Sequence, residues 1–377
     1  AALRSRLPRA RVVLFEPGST HLLKPRLHEA LVDDLPLEIP LASLLPRGVQ
    51  HVRAAVETVE APSASIVAGG KRHEGDFLIV ASGARTRSPI RRAAKSRNAK
   101  KGVPAVFRLD SMADVRALKA HVVSCVRHAA GKVSAARRRE LLSVLVVGGG
   151  YTGVETSAEL ALLLRREAFE AGISPALVHV TICEAGARLF AGVPDDELAQ
   201  RVHEELAKKA VDVRVTEEVR FDGGVPMVGR HRFAAATVLL ATGIEGVIAP
   251  RAPFLARWAR WKVDETLRVA GTAGVLAAGD AAVVPAPGDA PPVAPSAQHA
   301  VQEGRHAAAT IAALVRGRTP EPFRAKTLGE FLTLGDGDVV GWLQLAGRRI
   351  HLSGIPAASA RAAAFGRYLA ALKLGLG

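Results

Sequence analysis

Short apolar runs rich in Val, Leu and Ile alternate along the chain with longer stretches of helical periodicity. Each run ends in glycine or an acidic residue, a pattern that predicts buried parallel strands. The runs cover residues 12–16, 77–83, 144–150, 178–184, 237–243 and 275–280. Helices are predicted over residues 111–130, 153–171, 195–209 and 297–315. Strands that alternate with helices in this way are typical of a doubly wound α/β fold.

Composition and charge narrow the function classes. The 377 residues include only two cysteines and no Cys-x-x-Cys, which excludes a disulfide scaffold, a thiolate zinc site and a redox dithiol. The formal net charge is +15, and residues 85–101 are basic without an acidic residue. We interpret this segment as a solvated loop. Because aromatic residues make up only 4% of the chain, stacking on single-stranded nucleic acid is disfavoured, and no nucleic-acid partner is expected.

A dinucleotide-binding fingerprint lies well inside the chain. Residues 144–155 read VLVVGGGYTGVE, so that Gly148, Gly150 and Gly153 occupy the three glycine positions of G-x-G-x-x-G between a strand and a helix. The glycines permit a tight turn, a close approach to a pyrophosphate and close packing of helix on strand. Glu184 ends the next strand, where a carboxylate binds both hydroxyls of a ribose and repels a 2′-phosphate. These residues predict NADH binding and favour NADH over NADPH.

Four further stretches point to a second nucleotide. VVLFE ends in Glu16, a second candidate ribose ligand, and both FLIVASGAR and TVLLATG end a strand in a glycine turn. VLAAGDAA contains Gly279 and Asp280 at the start of another turn. Together with G-x-G-x-x-G-x-E, these stretches resemble flavoprotein reductases with two dinucleotide-binding domains, in the family's order. The resemblance implies two Rossmann-like domains of the glutathione-reductase type, with the NADH domain inserted in the FAD domain.

Two more segments narrow the resemblance. STHLLKPRLHEAL (residues 19–31) and AQHAVQEG (residues 297–304) are similar to segments of type II NADH:quinone oxidoreductases. That family passes a hydride from NADH to FAD and then two electrons to a quinone. Gln298 and Gln302 are four residues apart and therefore share one helix face.

The resemblance implies a role for each matching position. Gln298, next to the flavin, and Gln302, bordering the quinone pocket, are the implied catalytic residues. Glu155 is expected near the nicotinamide, with capping of the helix dipole as the alternative. Cofactor binding is implied for Glu16, Pro25, Ala81, Gly83, Arg85, Gly148, Gly150, Tyr151, Thr152, Gly153, Glu184, Gly243, Gly279, Asp280 and Ala297.

The resemblance also sets the expected domains. The FAD-binding domain is expected over residues 1–110 and 250–322, the NADH-binding domain over residues 111–249, and a C-terminal interface or membrane-proximal region over residues 323–377. The family's first strand and G-x-G-x-x-G loop, which bind the FAD pyrophosphate, are not found, and AALRSRLPRA reads as the end of the following helix. The sequence is therefore interpreted as N-terminally truncated, with FAD binding expected of the full-length protein.

Other functions stay open at this point. A soluble NAD(P)H reductase of the same superfamily is one alternative, either of the ferredoxin or rubredoxin type or similar to apoptosis-inducing factor. A non-catalytic remnant that binds NADH without FAD is another. For a quinone reductase we expect a peripheral position on the cytoplasmic face of a bacterial inner membrane, or on a mitochondrial or plastid membrane. A homodimer is left open, and no metal is expected.

Overall fold

The computed structural model describes residues 2–89, 103–190, 195–247, 255 and 257–373. Most of the basic segment 85–101, interpreted above as a solvated loop, falls between residues 90 and 102 and lies outside the described residues.

The N-terminal part consists of one short helix and short strands. Their bounds are α1 (Ala2–Arg6), β1 (Val12–Phe15), β2 (Thr20–Leu22), β3 (Glu38–Pro40), β4 (Val49–Val52), β5 (Val56–Glu60), β6 (Ser65–Ala68), β7 (Lys71–Glu74), β8 (Leu78–Val80) and β9 (Ala84–Thr86). β1 pairs in parallel with β4, β2 pairs with β3, and β5, β6 and β7 form an antiparallel sheet.

The central part contains the parallel sheet with the most strands among the described residues. Its elements are β10 (Ala105–Phe107), α2 (Met112–Ala130), α3 (Ala135–Leu141), β11 (Ser143–Val147), α4 (Tyr151–Glu170), β12 (His179–Cys183), α5 (Asp196–Lys208), β13 (Val211–Arg214), β14 (Val219–Asp222), β15 (Val225–Val228), β16 (His231–Arg232), β17 (Thr237–Leu240) and β18 (Ile244–Gly246). Five parallel strands run in the order β10-β17-β11-β12-β13, and all five residues of β11 are buried. β10 belongs to this sheet although it precedes residue 111, where the NADH-binding domain was expected to begin.

The C-terminal part of the chain packs against the N-terminal part. It contains β19 (Trp261–Lys262), β20 (Val275–Ala277), β21 (Ala282–Val283), α6 (Ala297–Val315), β22 (Gly329–Thr333), β23 (Val339–Leu345), β24 (Arg348–Ser353) and α7 (Gly354–Lys373). β20 pairs in parallel with β8, and α1 packs against α6. β22, β23 and β24 form an antiparallel sheet that α7 covers. β20 and β8 thus join segments far apart in the chain.

The predicted α/β fold class is confirmed. Every predicted parallel strand forms at its expected run, with β11 beginning one residue early at Ser143. The predicted helices correspond to α2, α4, α5 and α6 with bounds that agree within about two residues. The antiparallel sheets β5–β7, β14–β16 and β22–β24 were not predicted.

One face of α7 packs against β2 and the segment that follows it. Tyr368 hydroxyl lies 3.0 Å from Nε2 of His21, and the guanidinium of Arg26 lies 4.9 Å from the ring centre of Phe365. Arg361 donates to Glu29 on the same face. Since residues 361, 365 and 368 share one side of a helix, this side of α7 is committed to the N-terminal part. No helix within the described part of the chain has the length and apolar character to cross a bilayer.

Candidate functional site

The loop between β11 and α4 has the shape that a pyrophosphate needs. A Cβ on Gly153 would lie 1.9 Å from the carbonyl oxygen of Gly148, and a Cβ on Gly148 would lie 2.3 Å from that of Ala241. Both positions therefore require glycine for packing, and Gly148 also has a φ of +111°. Gly150 has no atom within 4 Å of its would-be Cβ, so this side of the loop is open to a ligand.

Glu184 lies directly beneath this loop. Its Oε2 accepts a hydrogen bond from the backbone N–H of Gly149 at 2.6 Å, and its Oε1 accepts one from that of Gly186 at 2.7 Å. The carboxylate is therefore held at the carboxyl end of β12, next to the open side of the loop. The open glycine and the fixed carboxylate fit a bound NADH, with the helix N-terminus of α4 directed at its phosphates.

Tyr151 and Thr152 begin α4 at the edge of the loop. The Tyr151 hydroxyl donates to Glu330 of β22, and its ring centre lies 4.9 Å from that of Phe190. Burial, reinforced by the Glu330 carboxylate, raises the pKa of Tyr151 well above its usual range, so the phenol stays protonated. Thr152 is exposed. Tyr151 therefore connects the nucleotide loop to the C-terminal sheet.

Glu155 lies in the second turn of α4, beyond the residues that interact most strongly with the helix dipole. Its Oε1 accepts a hydrogen bond from the backbone N–H of Thr333 at 3.2 Å and lies 3.6 Å from Nε2 of His28. Burial raises the pKa of Glu155 to about 8. Sequence reasoning did not find His28 or Thr333, because they lie on segments distant from the fingerprint.

The residues predicted to bind the second nucleotide lie at the ends of β1 and β20. Oε1 of Glu16 accepts a hydrogen bond from the backbone N–H of Gly18 at 2.8 Å. Asp280 begins the turn after β20, and none of the hydrogen bonds among described residues uses its carboxylate group. The N–H of Gly279 donates to the buried Glu303 of α6 at 2.6 Å. The Glu16 carboxylate fits the ribose of FAD. The Asp280 carboxylate, which is free of hydrogen bonds among the described residues, fits its ribityl chain.

The two predicted glycine turns, at Gly83 and Gly243, lie next to each other in the structure. Gly83 and Gly243 both have positive φ, +68° and +86°, and no atom lies within 4 Å of the would-be Cβ of Gly83. The strands that follow, β9 and β18, pair antiparallel, and Nε of Arg85 lies 2.8 Å from Oε1 of Glu245. Arg85 is thus engaged in an exposed ion pair between the crossing strands.

Pro25 and Ala81 lie on two segments that reach the start of β9. Pro25 occupies a single 3-10 turn whose neighbour Lys24 donates through Nζ to the backbone oxygen of Ala84 at 2.8 Å. Ala81 is exposed directly after β8. The structure therefore brings the segment after β2 to the strand end where the FAD-binding residues were predicted.

The side chains of Gln298 and Gln302 both form hydrogen bonds with the backbone of the segment that leads into β22. The Gln298 amide donates to the Gly329 oxygen at 3.1 Å and accepts from the Leu328 N–H at 3.1 Å. Gln302 donates to the oxygen of Lys326 at 2.8 Å and accepts from its N–H at 2.9 Å. The two side chains face the same segment, as the four-residue spacing predicts, and Ala297 is the first residue of α6. They join α6 to β22.

A cavity of about 250 Å³ lies beside this junction. Trp342 of β23 lies in its wall, is 3% exposed, and has an indole N–H without a hydrogen-bond partner. Other lining residues are Pro291, Pro292, Val293, Ala294, His299, Ala325, Thr327, Glu330 and Arg349. Sequence reasoning missed this wall because β22–β24 were not predicted.

Both thiols of the chain are buried. Cys125 is 5% exposed on α2 and Cys183 is 1% exposed on β12. Burial raises the pKa of both thiols, that of Cys183 to about 12. Neither thiol is therefore activated as a nucleophile.

Comparison with known proteins agrees with the resemblance inferred from the sequence. A 352-residue alignment shows 29% identity to an NADH dehydrogenase-like protein of Mycobacterium tuberculosis, covering 89% of this chain and 80% of that one. A type II NADH:quinone oxidoreductase of Staphylococcus aureus is 24% identical, covering 88% and 82%.

Solved structures show the same fold. The structure of NDH2 from Plasmodium falciparum in complex with NADH superposes with a TM-score of 0.78 at 16% identity, covering 96% of this chain and 90% of that one. A ferredoxin reductase from Rhodopseudomonas palustris superposes with a TM-score of 0.67 at 17% identity, covering 91% and 78%.

The family model for pyridine nucleotide-disulphide oxidoreductases matches residues 1–304. This span includes the open glycine loop, the carboxylate beneath it and the second nucleotide site. FAD and NADH are the cofactors of such enzymes. The chain therefore belongs to the pyridine nucleotide-disulphide oxidoreductase family.

Proposed function

We propose that this chain passes a hydride from NADH to FAD and then two electrons to a membrane quinone. The observation that carries the proposal is the cavity beside Gln298, between α6 and the C-terminal sheet. It lies next to the end of α6 where the resemblance places the flavin. FAD, when bound, supplies the hydride acceptor and the store for two electrons.

The residues of this chain position and separate the reactants. The glycine loop and Glu184 would hold NADH, while Glu16 and Asp280 would hold FAD. Gln298 and Gln302 hold residues 326–329, which lead into β22, against α6 beside the cavity. The indole N–H of Trp342 is a hydrogen-bond donor without a partner, which suits a quinone carbonyl oxygen.

An exposed apolar patch supports peripheral contact with the membrane that carries the quinone. Leu345 and Ile350 share one face of the β22–β24 sheet and are 62% and 42% exposed. Ile355, at the start of α7, is 83% exposed. Apolar residues of this kind beside Arg348 suit an anionic lipid surface. A cytoplasmic-face position and a homodimer remain predictions.

The first experiment measures the visible absorbance of the purified chain supplied with FAD. Flavin bands that NADH bleaches and a soluble quinone restores support the proposal. A protein that binds NADH but retains no flavin contradicts it and supports the non-catalytic alternative. Bleaching by NADH with reoxidation by ferredoxin but not by quinone supports the soluble-reductase alternative.

A matched pair of variants tests the cavity itself. Trp342→Phe removes the donor while keeping an aromatic ring, and we expect the KM for quinone to rise about tenfold with the rate of flavin reduction by NADH unchanged. Trp261→Phe is the control. Trp261 has the same unpartnered buried N–H, but it lies in a separate hydrophobic cluster around β8 and β20. Equal effects of the two variants on KM would remove Trp342 from the quinone site.

A further inference from the structure

Two side chains of β24 bind the residue that caps α5. Nε2 of His351 lies 3.0 Å from Oδ1 of Asp195, and Nη1 of Arg349 lies 3.3 Å from Oδ2 of the same carboxylate. Because residues 349 and 351 alternate along the strand, they lie on one face of the C-terminal sheet. Asp195 is the N-cap of α5 and accepts a hydrogen bond from the backbone N–H of Leu198 at 2.9 Å. One carboxylate therefore joins the C-terminal sheet to the central part.

Burial makes this junction costly to break. The Asp195 side chain is 3% exposed and that of His351 is 13% exposed, and Nδ1 of His351 lies 3.0 Å from Oε2 of Glu197 in the first turn of α5. Burial alone would raise the pKa of Asp195, but the hydrogen bonds from Leu198 and His351 hold that pKa below its usual value. A buried charge that loses its partners is strongly disfavoured. The C-terminal sheet therefore fixes the position of the start of α5.

The segment that precedes α5 begins at the candidate NADH site. Residues 184–190 start with the candidate ribose carboxylate and end at Phe190. The N–H of Phe190 donates to the carbonyl oxygen of Gly149 in the glycine loop at 3.0 Å. Nε of Arg188 lies 3.2 Å from Oδ1 of Asp196, the first residue of α5. The segment is therefore bound both to the glycine loop and to the start of α5.

Phe190 has a backbone conformation that needs support from its surroundings. Its φ of +53° lies in the left-handed region, which is unfavourable for a residue with a bulky side chain. Such conformations persist only where the surrounding structure fixes them. Phe190 is 3% exposed and packs against Tyr151, and the chain is fixed again at Asp195. If Asp195 is released, the backbone at Phe190 can relax, and its hydrogen bond to Gly149 is then lost.

We propose that His351 and Arg349 are positioning residues for NADH, an inference that rests on the function proposed above. By binding Asp195 they hold residues 184–190 in the conformation in which Glu184 and the glycine loop receive the nucleotide. Neither side chain touches NADH in this scheme, because both act through Asp195. Arg349 also lines the cavity proposed for the quinone, whereas His351 is not among the lining residues, so His351 is the residue to test.

Calorimetric titration of the purified chain with NAD⁺, which occupies the same site without reducing flavin, tests the positioning directly. His351→Leu removes the bond to Asp195, and we expect the Kd for NAD⁺ to rise about tenfold. His351→Gln keeps an amide donor near the place of Nε2 and should restore most of the affinity. Asp195→Asn keeps an N-cap but removes the charge, and it should weaken binding as much as His351→Leu does. An unchanged Kd in both His351→Leu and Asp195→Asn overturns the proposal.

A double variant and a matched control separate this contact from a general loss of structure. Because the two substitutions break the same contact, Asp195→Asn combined with His351→Leu should weaken binding no more than either substitution alone. His203→Gln is the control, because His203 is an exposed residue of the same helix, and its Kd should equal that of the wild type. Fully additive effects in the double variant, or equal weakening by His203→Gln, overturn the proposal.

Steady-state kinetics of the FAD-loaded protein show whether the effect is confined to the NADH side. His351→Leu should raise the KM for NADH about tenfold and leave kcat and the KM for quinone unchanged. Equal changes in both KM values would indicate a merely structural role and overturn the proposal.

The two proposals fail in distinguishable ways. A wild-type chain without quinone turnover, in which the variants still weaken NAD⁺ binding, would contradict the proposed function and leave the positioning role supported. Quinone turnover together with NAD⁺ affinities that His351→Leu and Asp195→Asn do not change would contradict the positioning role alone. If His351→Leu does not fold, the Kd of Asp195→Asn decides, because that substitution keeps the helix cap.

Discussion

Each of the two nucleotide-binding units has a carboxylate at the end of a parallel strand. The strands of the two units, however, are buried to very different degrees. In the central unit, β11 is buried at every position and lies in the middle of five continuous parallel strands. In the other unit, all four residues of β1 are half-buried, and among the described residues β1–β4 and β8–β20 form separate parallel pairs.

This difference shows up in how firmly each carboxylate is held. Glu184, at the end of β12, accepts two backbone N–H groups from the loop and its neighbour. Glu16, at the end of β1, accepts one, from Gly18 two residues later. Since two hydrogen bonds restrain a carboxylate more than one does, the NADH side is the more rigidly preorganised of the two.

The largest effect is expected at the glycines. Gly153→Ala places a methyl group 1.9 Å from the Gly148 oxygen and should lower the free energy of unfolding by about 3 kcal/mol. Gly279→Ala, in the other unit, meets the Ala300 Cβ at an ordinary 3.4 Å and bears only the strain of a +67° φ, about 1 kcal/mol. Urea unfolding of the two variants measures the contrast.

Gly150→Ala is the matched control for the loop. Its methyl group would enter open space, so we expect unchanged stability and NADH binding weakened at least about tenfold by calorimetry. Stability losses of the same size for Gly153→Ala and Gly279→Ala would show that the central loop is no more tightly packed than the other.

The next effect is on pH dependence, because each unit has a buried carboxyl group on its main helix. Burial raises the pKa of Glu159 on α4 from 4.5 to about 8, so between these values only the folded state keeps the proton. Stability should then fall with rising pH across this window, by up to about 1.4 kcal/mol per pH unit, and level off above it. Glu159→Gln should remove this part of the decline.

Glu303→Gln on α6 gives the comparison. Burial also raises the pKa of Glu303, but the hydrogen bond from the N–H of Gly279 opposes the change. Its substitution should therefore flatten the stability profile less than Glu159→Gln does. Urea unfolding at several pH values between about 5 and 9 measures both, and a Glu159→Gln profile parallel to that of the wild type would contradict the assignment.

The smallest effect compares the two sheets directly. Val146 of β11 is completely buried, and Val146→Ala should cost about 2 kcal/mol. Val13 of β1 is half-buried, and Val13→Ala should cost less than about 1 kcal/mol. Thermal unfolding of both variants provides the measurement. A larger loss at Val13 would mean that β1 is more tightly packed than its exposure indicates.

Much of the parallel framework could be predicted from the sequence. Runs such as Val144–Gly150 are apolar throughout and end in glycine, since a strand covered on both faces needs no polar alternation. Two of the three fingerprint glycines, Gly148 and Gly153, likewise have contacts that only glycine permits. Local pattern and three-dimensional packing demand the same residues there, so prediction and structure agree.

The parts that could not be predicted depend on contacts between distant segments. The strand RRIHLS of β24 is mostly exposed and has no strong alternation, so its pairing with β23 leaves no local signal. The contact between His28 and Glu155 arises only when β22 brings Thr333 between them. The Gln298 and Gln302 side chains were expected to face ligands, and the structure shows them bonded to the backbone of residues 326–329.

The pairing of β8 with β20 has a consequence for synthesis on the ribosome. β8 and its partner β20 are separated by roughly two hundred residues, and α1 and its partner α6 are further apart still. The whole central unit is synthesised in between. At about 5–20 residues per second, the N-terminal part waits on the order of ten to forty seconds for those partners. The central unit contains all five strands of its own sheet and can close first. Translation speed and chaperone capture of the waiting strands therefore bear on the yield of folded protein.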